Sequence, residues 1–509
     1  MEVTIPKITE LLASNVSEAS FSDWSALQSP AYTAGARVYV LYSDYPELLS
    51  YGDCIFDQFE KDGEGTTDEW SYDGTNSEYD CDGAQAGNSK IYQVTENIDS
   101  GDFVLVQYQI KNYSAGEVKA YVQGGLGTAR TADGTYQEII TASSTNAYIG
   151  VQGNSAFIGS ITNISIKAAV KDLYASREVY ESQVDSNDNN FPPDDDGTNW
   201  IKVSASNRWK MFDDYMASQS ENPAKISIKI KSNKSNKLAY FLVEAKNVEY
   251  IVSDDSKTET STTSITPAAA AIAITTTHAN TWAIGDKVEV YRTSDQRSFF
   301  AGTLTDWTQG TGVAEVTATV FDDYSGGPHT DWTMVRVYDH ESGSLYQEEV
   351  LSWSDYFFSP IRFSTSQAES FTYSYNTSCR VIFTGDTNDT IRVGHIVVGH
   401  SSYLGGTKFG LRGSISDFSV KEANTFGEYA LVQRAYAKEL RYTINVKNTA
   451  VDQVFQTLTQ LRAIPCVWDA NNDSTSLSMA IAFGFFSDFE VMVPSNNLSE
   501  CDLEIQGLT

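Results

Sequence analysis

The sequence predicts a mainly β protein: a multidomain β-sandwich scaffold with nested β-module insertions and one or two short helices. Three observations lead there. Runs of alternating apolar and polar residues recur, as over 103–110 and 118–122, which is the period of a half-buried strand. Aromatics make up 12% of residues and include 29 Tyr, a composition that fits pleated surfaces. Clusters of Gly, Ser, Thr and Asn punctuate the runs as turns do. At 509 residues the chain has room for about three domains.

Taken in order, residues 1–51 carry an expected short helix near 8–12 and a strand over 37–42. Positions 51–100 hold 13 acidic and 2 basic residues. The alternating runs that follow, up to 171, have the strand-and-turn spacing of a two-sheet sandwich. Strands are expected at 226–230 and 240–243, and 256–266 reads as a polar Ser/Thr linker. Residues 267–336 form another small β unit, in which Gly285, Gly302, Gly310 and Gly312 fall where hairpins need a permissive backbone. From 337 to 509 the chain is β-rich, with strands at 380–383 and 392–399. A helix is expected over about 449–463, where Val451, Val454, Phe455, Leu458 and Leu461 share one face. Asn448 or Thr449 is its N-cap candidate, Asp452 suits its first turn, and Pro465 ends it.

The net charge is −32. Such a field repels phosphate backbones and anionic membranes, so no nucleic-acid partner is expected. No apolar run has the length of a membrane span, so no membrane insertion is expected. The opening Met1-Glu2-Val3-Thr4-Ile5 lacks a basic segment followed by an apolar run, so a start in a cytoplasm is the expectation. Cys54, Cys81, Cys379, Cys466 and Cys501 are an odd, scattered set without Cys-x-x-Cys. Pairing of Cys54 with Cys81 is one option, and buried thiols are the other.

Catalytic patterns do not emerge. His278, His329, His340, His395 and His400 are dispersed, and neither a Gly-x-Ser-x-Gly elbow nor a phosphate loop occurs. The 67 carboxylates place acidic pairs everywhere by chance, so a glycosidase pair is not specified by counting. No enzyme activity is expected. Asp185, Asp188, Asp194 and Asp196, with Asn189, Asn190 and Asp195, form oxygen-rich loops that make Ca2+ the candidate ion. Their spacing departs from the twelve-residue calcium loop, and Asp/Asn runs also serve as turns.

Several motifs resemble known modules. Ala31-Tyr32-Thr33-Ala34-Gly35-Ala36-Arg37-Val38 after Trp24, joined to Val179-Tyr180-Glu181, Pro192-Pro193-Asp194 and Trp200, resembles a small chitin-binding-type module cut in two. Phe157-Ile158-Gly159-Ser160-Ile161-Thr162-Asn163-Ile164-Ser165, with Asp133-Gly134-Thr135-Tyr136, resembles the jelly-roll carbohydrate-binding-like domains of phage structural proteins. Gly285-Asp286-Lys287-Val288, Gly302-Thr303-Leu304-Thr305-Asp306-Trp307 and Trp332-Thr333 resemble a small β module of phage tail-fibre and baseplate proteins. Leu404-Gly405-Gly406-Thr407-Lys408-Phe409-Gly410, Ile415-Ser416-Asp417-Phe418 and Ile464-Pro465-Cys466-Val467-Trp468 resemble a tail-associated virion protein of tailed bacteriophages.

The resemblance implies four parts. Residues 1–51 with 172–205 form the split module, and 52–171 the inserted jelly roll. Residues 206–255 with 337–509 form the tail scaffold, and 256–336 the inserted small module. It implies a structural component of the distal tail or baseplate, located in the virion. The implied partners are other phage tail proteins, host cell-surface glycans and further copies of the chain. A capsid decoration or head-fibre protein, and a free carbohydrate-binding protein or glycan-active enzyme, are the alternatives. Trp24, Tyr32, Tyr180 and Trp200 are the module's carbohydrate-contact candidates, with Trp70 and Tyr72 in the acidic stretch. Flat rings stack on pyranose faces, but Tyr32 and Trp200 equally suit the mini-core of so small a module.

Overall fold

The computed structural model describes residues 1–18, 21–23, 31–41, 60–62, 70–94, 103–143, 148–169, 177–187, 192, 197–213, 215, 218–277, 280–324, 326–345, 366–423, 429–432, 434, 436–470, 478–493 and 496–508. It is a mainly β, multi-sheet fold in which almost all strand pairs are antiparallel, with one α-helix among the described residues. Two compact units emerge: Met1–Glu18 with Asn207–Thr509, and Ala19–Ser206.

The larger unit is built around one long strand, Lys225–Phe241. It pairs along its length with Gln367–Thr384, and on its other edge with Ile8–Ser14 and His395–Tyr403. Sequence spacing split this strand into two around the polar segment 231–236. Register shifts absorb that segment without ending the strand. Glu2–Pro6 fits between His395–Tyr403 and Cys466–Asp469. The Lys237 ammonium, nearly sealed, holds that strand by donating to Glu2 Oε2 and Asp469 Oδ2, each at 2.6 Å.

The opening residues therefore correct two expectations. Residues 8–12 are strand, because pairing with Lys225–Phe241 outweighs a weak local helix preference. Residues 1–18 group with the larger unit and not with the split module.

The expected linker at 256–266 is also corrected. Asn247–Ser261 is a single strand that runs into it as far as Ser261, paired to Trp332–Ser344. Its polar side chains alternate: Thr258 and Thr260 are exposed, while Glu259 is buried and accepts from Thr277 Oγ1 and from the Asn280 N–H and Nδ2. The strands of 271–344 enclose their own core, with Trp282, Val290, Phe300, Leu304, Trp332 and Met334 buried.

The helix spans Val451–Gln460 after a short 3-10 turn at Asn448–Ala450. Its N-cap is Ala450, without a side-chain hydrogen bond. Asn448 instead accepts a hydrogen bond from Ser499 Oγ at 2.7 Å. Val454, Leu458 and Leu461 enter a core with Leu440, Tyr442 and Trp468. Phe455, placed on that face by spacing, points outward and is 55% exposed.

In the smaller unit, two five-stranded sheets form a sandwich. One orders Gly125–Leu126, Val118–Val122, Tyr148–Gly153, Ser89–Val94 and Glu60–Asp62. The other orders Gly134–Thr141, Phe103–Ala115, Ile158–Ala169, Glu78–Asp82 and Trp70–Asp73. Val104, Val106, Tyr108, Ile149, Val151 and Phe157 are among the side chains buried where they face each other. A four-stranded sheet completes the unit in the order Trp200–Ala205, Arg177–Ser182, Arg37–Leu41, Ser22–Asp23. Leu41 pairs with Arg177, so the sandwich leaves and rejoins this sheet at facing positions.

Candidate carbohydrate-contact surfaces

Three of the four aromatics of the split motif come together. Tyr32 exchanges backbone hydrogen bonds with Asn187 at 3.0 and 2.9 Å. Asn187 is itself buried, and its Nδ2 donates to Ser182 Oγ and to the Asn199 carbonyl. This brackets the loop so that Tyr32 meets Trp200 edge-on at 5.2 Å. Tyr32, Tyr180 and Trp200 then pack with Val38 and Val40. Their exposures are 7%, 8% and 2%, which leaves no ring face for a sugar. A sheet this small has little else to bury, so its aromatics form the core. Trp24 lies outside the described residues.

Trp70 and Tyr72 have the same fate. Alternation puts both on the inner face of Trp70–Asp73. Trp70 is sealed, donates from Nε1 to Ser89 Oγ of the opposite sheet at 2.8 Å, and lies 5.7 Å from the Phe157 ring. Tyr72 is half-buried against Tyr79, with ring centroids 5.0 Å apart.

Different tyrosines face outward. On the Ser89–Val94 sheet, Tyr121 pairs with Gly150, and Gly150 with Tyr92. Tyr148, one step along the same face, contacts Tyr92 edge-on at 4.7 Å and is 40% exposed. Tyr121 is covered by the Lys90 ammonium, 4.5 Å from its ring centroid, and is only 7% exposed, so Tyr148 and the half-buried Tyr92 are the accessible rings of this face. The adjoining row is Lys119, Gln152 and Lys90. Gly150 is required by strand approach, since a Cβ there would sit 2.0 Å from the Ile91 carbonyl oxygen. One result is a gap in the tyrosine row, floored by backbone. The signal was present in the sequence. Val118, Ala120 and Val122 are one parity of an alternating strand, so Lys119 and Tyr121 must be the other.

The candidate calcium ligands are only partly described. Asp185 Oδ1 accepts the Ala34 N–H at 3.0 Å and so shapes the turn beside Tyr32. Asp188, Asp194 and Asp196 lie outside the described residues. A separate trio on the sandwich, Asp73, Glu78 and Asp80, brings carboxylate oxygens within 4.8 Å of one another. Hairpin donors and a lysine already serve it: Asp73 accepts from Thr75 N–H and Asn76 Nδ2, and Lys111 Nζ lies 3.8 Å from Glu78.

The most concentrated charge cluster is sealed. Glu289 accepts from Arg380 Nε at 2.7 Å and Ser253 Oγ at 2.6 Å, and Lys229 Nζ lies 3.1 Å away. Lys229 sits 3.5 Å over the Tyr291 ring, and Arg380 3.7 Å over Phe299. Burial raises the Glu289 pKa, but the two cations overcome it and hold the carboxyl down at about 2. With all three side chains at 0% exposure, no substrate reaches them, and the cluster ties the 271–344 strands to the long sheet.

The described histidines are likewise dispersed in space. His395 stacks on Phe483 at 4.1 Å, His340 pairs with Glu249 at 2.8 Å, and His329 lies 3.5 Å from Asp323. Cys379, Cys466 and Cys501 are buried thiols, and Cys81 Sγ contacts Gln85 Oε1 at 3.2 Å. Cys54 lies outside the described residues. No described helix is long and apolar enough to cross a membrane.

No family model matches the chain, and no curated protein does. Among solved structures, one of Sulfolobus Turreted Icosahedral Virus aligns at 8% identity over 94% of this chain and 100% of that one, with a TM-score of 0.14. The N-terminal CBM22-1-CBM22-2 tandem domain of Paenibacillus barcinonensis Xyn10C aligns at 8% identity over 77% and 98%, also at 0.14. Similarity at this level carries no argument about fold or function.

Proposed function

We propose that this chain is a non-catalytic structural component of a phage-type virion, at the distal tail or baseplate. In this reading the larger unit is the scaffold, and the inserted β modules contact host-surface glycans or neighbouring virion proteins. The observation that carries the reading is the way the Ala19–Ser206 unit is inserted. Its two points of attachment lie side by side: Asn207 Nδ2 donates to the Ser17 carbonyl at 2.8 Å, and the Arg208 N–H donates to Glu18 Oε1 at 3.1 Å. A module tied at both ends to a rigid sheet can be presented without disturbing that sheet.

For glycan contact, the Tyr92–Tyr148 face replaces the motif aromatics as the candidate surface. Exposed tyrosine offers a flat apolar face with a polar rim, and multiple copies in a particle would convert weak contacts into avidity. Immunogold electron microscopy with antibody to this protein tests the location. Label at the tail tip is expected; label on the head supports decoration, and absence from particles supports a free binding protein. A glycan array then compares the wild type with Tyr148→Ala. We expect retention to drop at least tenfold with an unchanged melting temperature. Equal retention excludes this face.

A further inference from the structure

At one edge of the sandwich, the Tyr108 hydroxyl, Arg130 Nε and Glu138 Oε1 are each sealed from solvent and make no hydrogen bond. Both sheets contribute to this cluster. Tyr108 lies on Phe103–Ala115 and Tyr136 on the edge strand Gly134–Thr141; the two are cross-strand partners with rings 5.9 Å apart. Glu138 is the next inward position of that edge strand, opposite Val106. Arg130 comes from the other sheet, where its N–H and carbonyl exchange hydrogen bonds with Val118 at 2.8 and 3.1 Å. Its guanidinium lies 4.8 Å from the Tyr136 ring centroid, and Nη2 is 3.8 Å from Glu138 Oε2.

The neighbouring groups are committed elsewhere. Glu138 Oε2 accepts the Thr128 N–H at 2.8 Å, and the Tyr136 hydroxyl donates to the Ala132 carbonyl at 2.9 Å. Gly127 passes directly over Glu138 Oε1, where a Cβ would stand 2.2 Å from that oxygen. Tyr108 is 0% exposed. Burial and the Glu138 carboxylate drive its pKa well above the ordinary tyrosine range, so its hydroxyl keeps its proton and donates. Buried polar atoms left unpaired are costly, and native proteins satisfy nearly all of them with protein, water or ligand. The way in is short: the Arg130 and Glu138 side chains are 27% and 15% exposed, and Thr128 and Ala129 form an exposed rim.

The chemistry of these atoms defines what fits. Tyr108 O–H and Arg130 Nε–H are donors, and Glu138 Oε1 is an acceptor. Arg130 and Glu138 cancel in charge, so the cluster favours neither an anion nor a cation. A hydroxyl, with two lone pairs and one hydrogen, meets all of them at once. A carbonyl leaves Glu138 unmet, and an ammonium leaves both donors unmet. We propose that this edge cleft takes one hydroxyl of a neutral polyhydroxyl ligand, a sugar or a polyol, between Tyr108, Arg130 and Glu138. Water has the same lone pairs and holds the place in the free protein; a ligand hydroxyl displaces it and reproduces its bonds. The cleft is separate from the Tyr92–Tyr148 face, which lies on the outer surface of the other sheet, and it depends neither on that face nor on a place in a virion.

Saturation-transfer difference NMR on the full chain carrying Tyr148→Ala is the test, because that background removes the other candidate surface. The probes are D-glucose, D-galactose, N-acetylglucosamine and sorbitol. Saturable transfer to at least one of them is expected. A response confined to the sugars assigns the cleft to sugars, and one shared by sorbitol assigns it to polyols. Tyr108→Phe deletes one hydroxyl and keeps the ring, so it should weaken the binding about tenfold, the loss of one buried hydrogen bond, with an unchanged melting temperature. Glu138→Gln should weaken it in the same direction. No saturable transfer to any probe overturns the proposal and leaves water as the occupant. Transfer indifferent to both substitutions, with a lowered melting temperature, overturns it in favour of a purely structural cluster.

Discussion

Two side chains show how burial decides a residue's role. Trp200 occupies a motif position suited to sugar stacking, yet it is 2% exposed and supports the small sheet with Tyr32. Truncating a buried Trp costs about 3–5 kcal/mol. Trp200→Ala should therefore unfold the small sheet, seen as an early thermal transition, and any accompanying loss of ligand would report unfolding. His395 is buried against Phe483, and burial lowers its pKa from 6.5 to about 4. The sign follows directly. Above pH 6.5 both folded and unfolded forms are neutral and nothing is lost. As pH falls from 6.5 towards 4 the unfolded chain takes a proton that the folded one refuses, so stability drops by up to about 1.4 kcal/mol per pH unit. Denaturant titrations at stepped pH should show this slope in the wild type and a shallower one in His395→Gln.

At the scale of elements, strand pairing overrules local preference in several places. Residues 8–12 and 256–261 are strands because a partner edge waits for each, and such long-range pairing leaves little trace in a local window. The helix was legible because its apolar spacing is self-contained, although Phe455 faces outward and rests 6.0 Å from Phe489. The sandwich was legible from alternation. Its outer-face tyrosines are encoded there too, in the parity opposite Val118, Ala120 and Val122. Sheet order and the burial of Tyr32, Tyr180 and Trp200 depend on which distant strands meet, which spacing does not contain. The nesting itself is testable. Leu41 and Arg177 are cross-strand partners, so replacing residues 42–176 by Asn-Gly should close a two-residue hairpin. The shortened protein should remain soluble with an intact near-ultraviolet circular dichroism signal from the scaffold. Collapse of that signal would show that the sandwich is required for the rest to fold.

For the molecule as a whole, the chain order and the spatial order differ. Glu2–Pro6 pairs with strands some four hundred positions away, and Ile8–Ser14 pairs with Lys225–Phe241. The Lys237 bridge to Glu2 and Asp469 adds a charged clasp. These first eighteen residues are covalently joined to the rest of the scaffold only through the Ala19–Ser206 unit, while they are held within it by sheet hydrogen bonds. A protease that cuts anywhere inside the inserted unit would thus divide the scaffold into two polypeptides without separating them. The N-terminal piece would persist as a donated strand, and only denaturation would reveal that the protein had been cut.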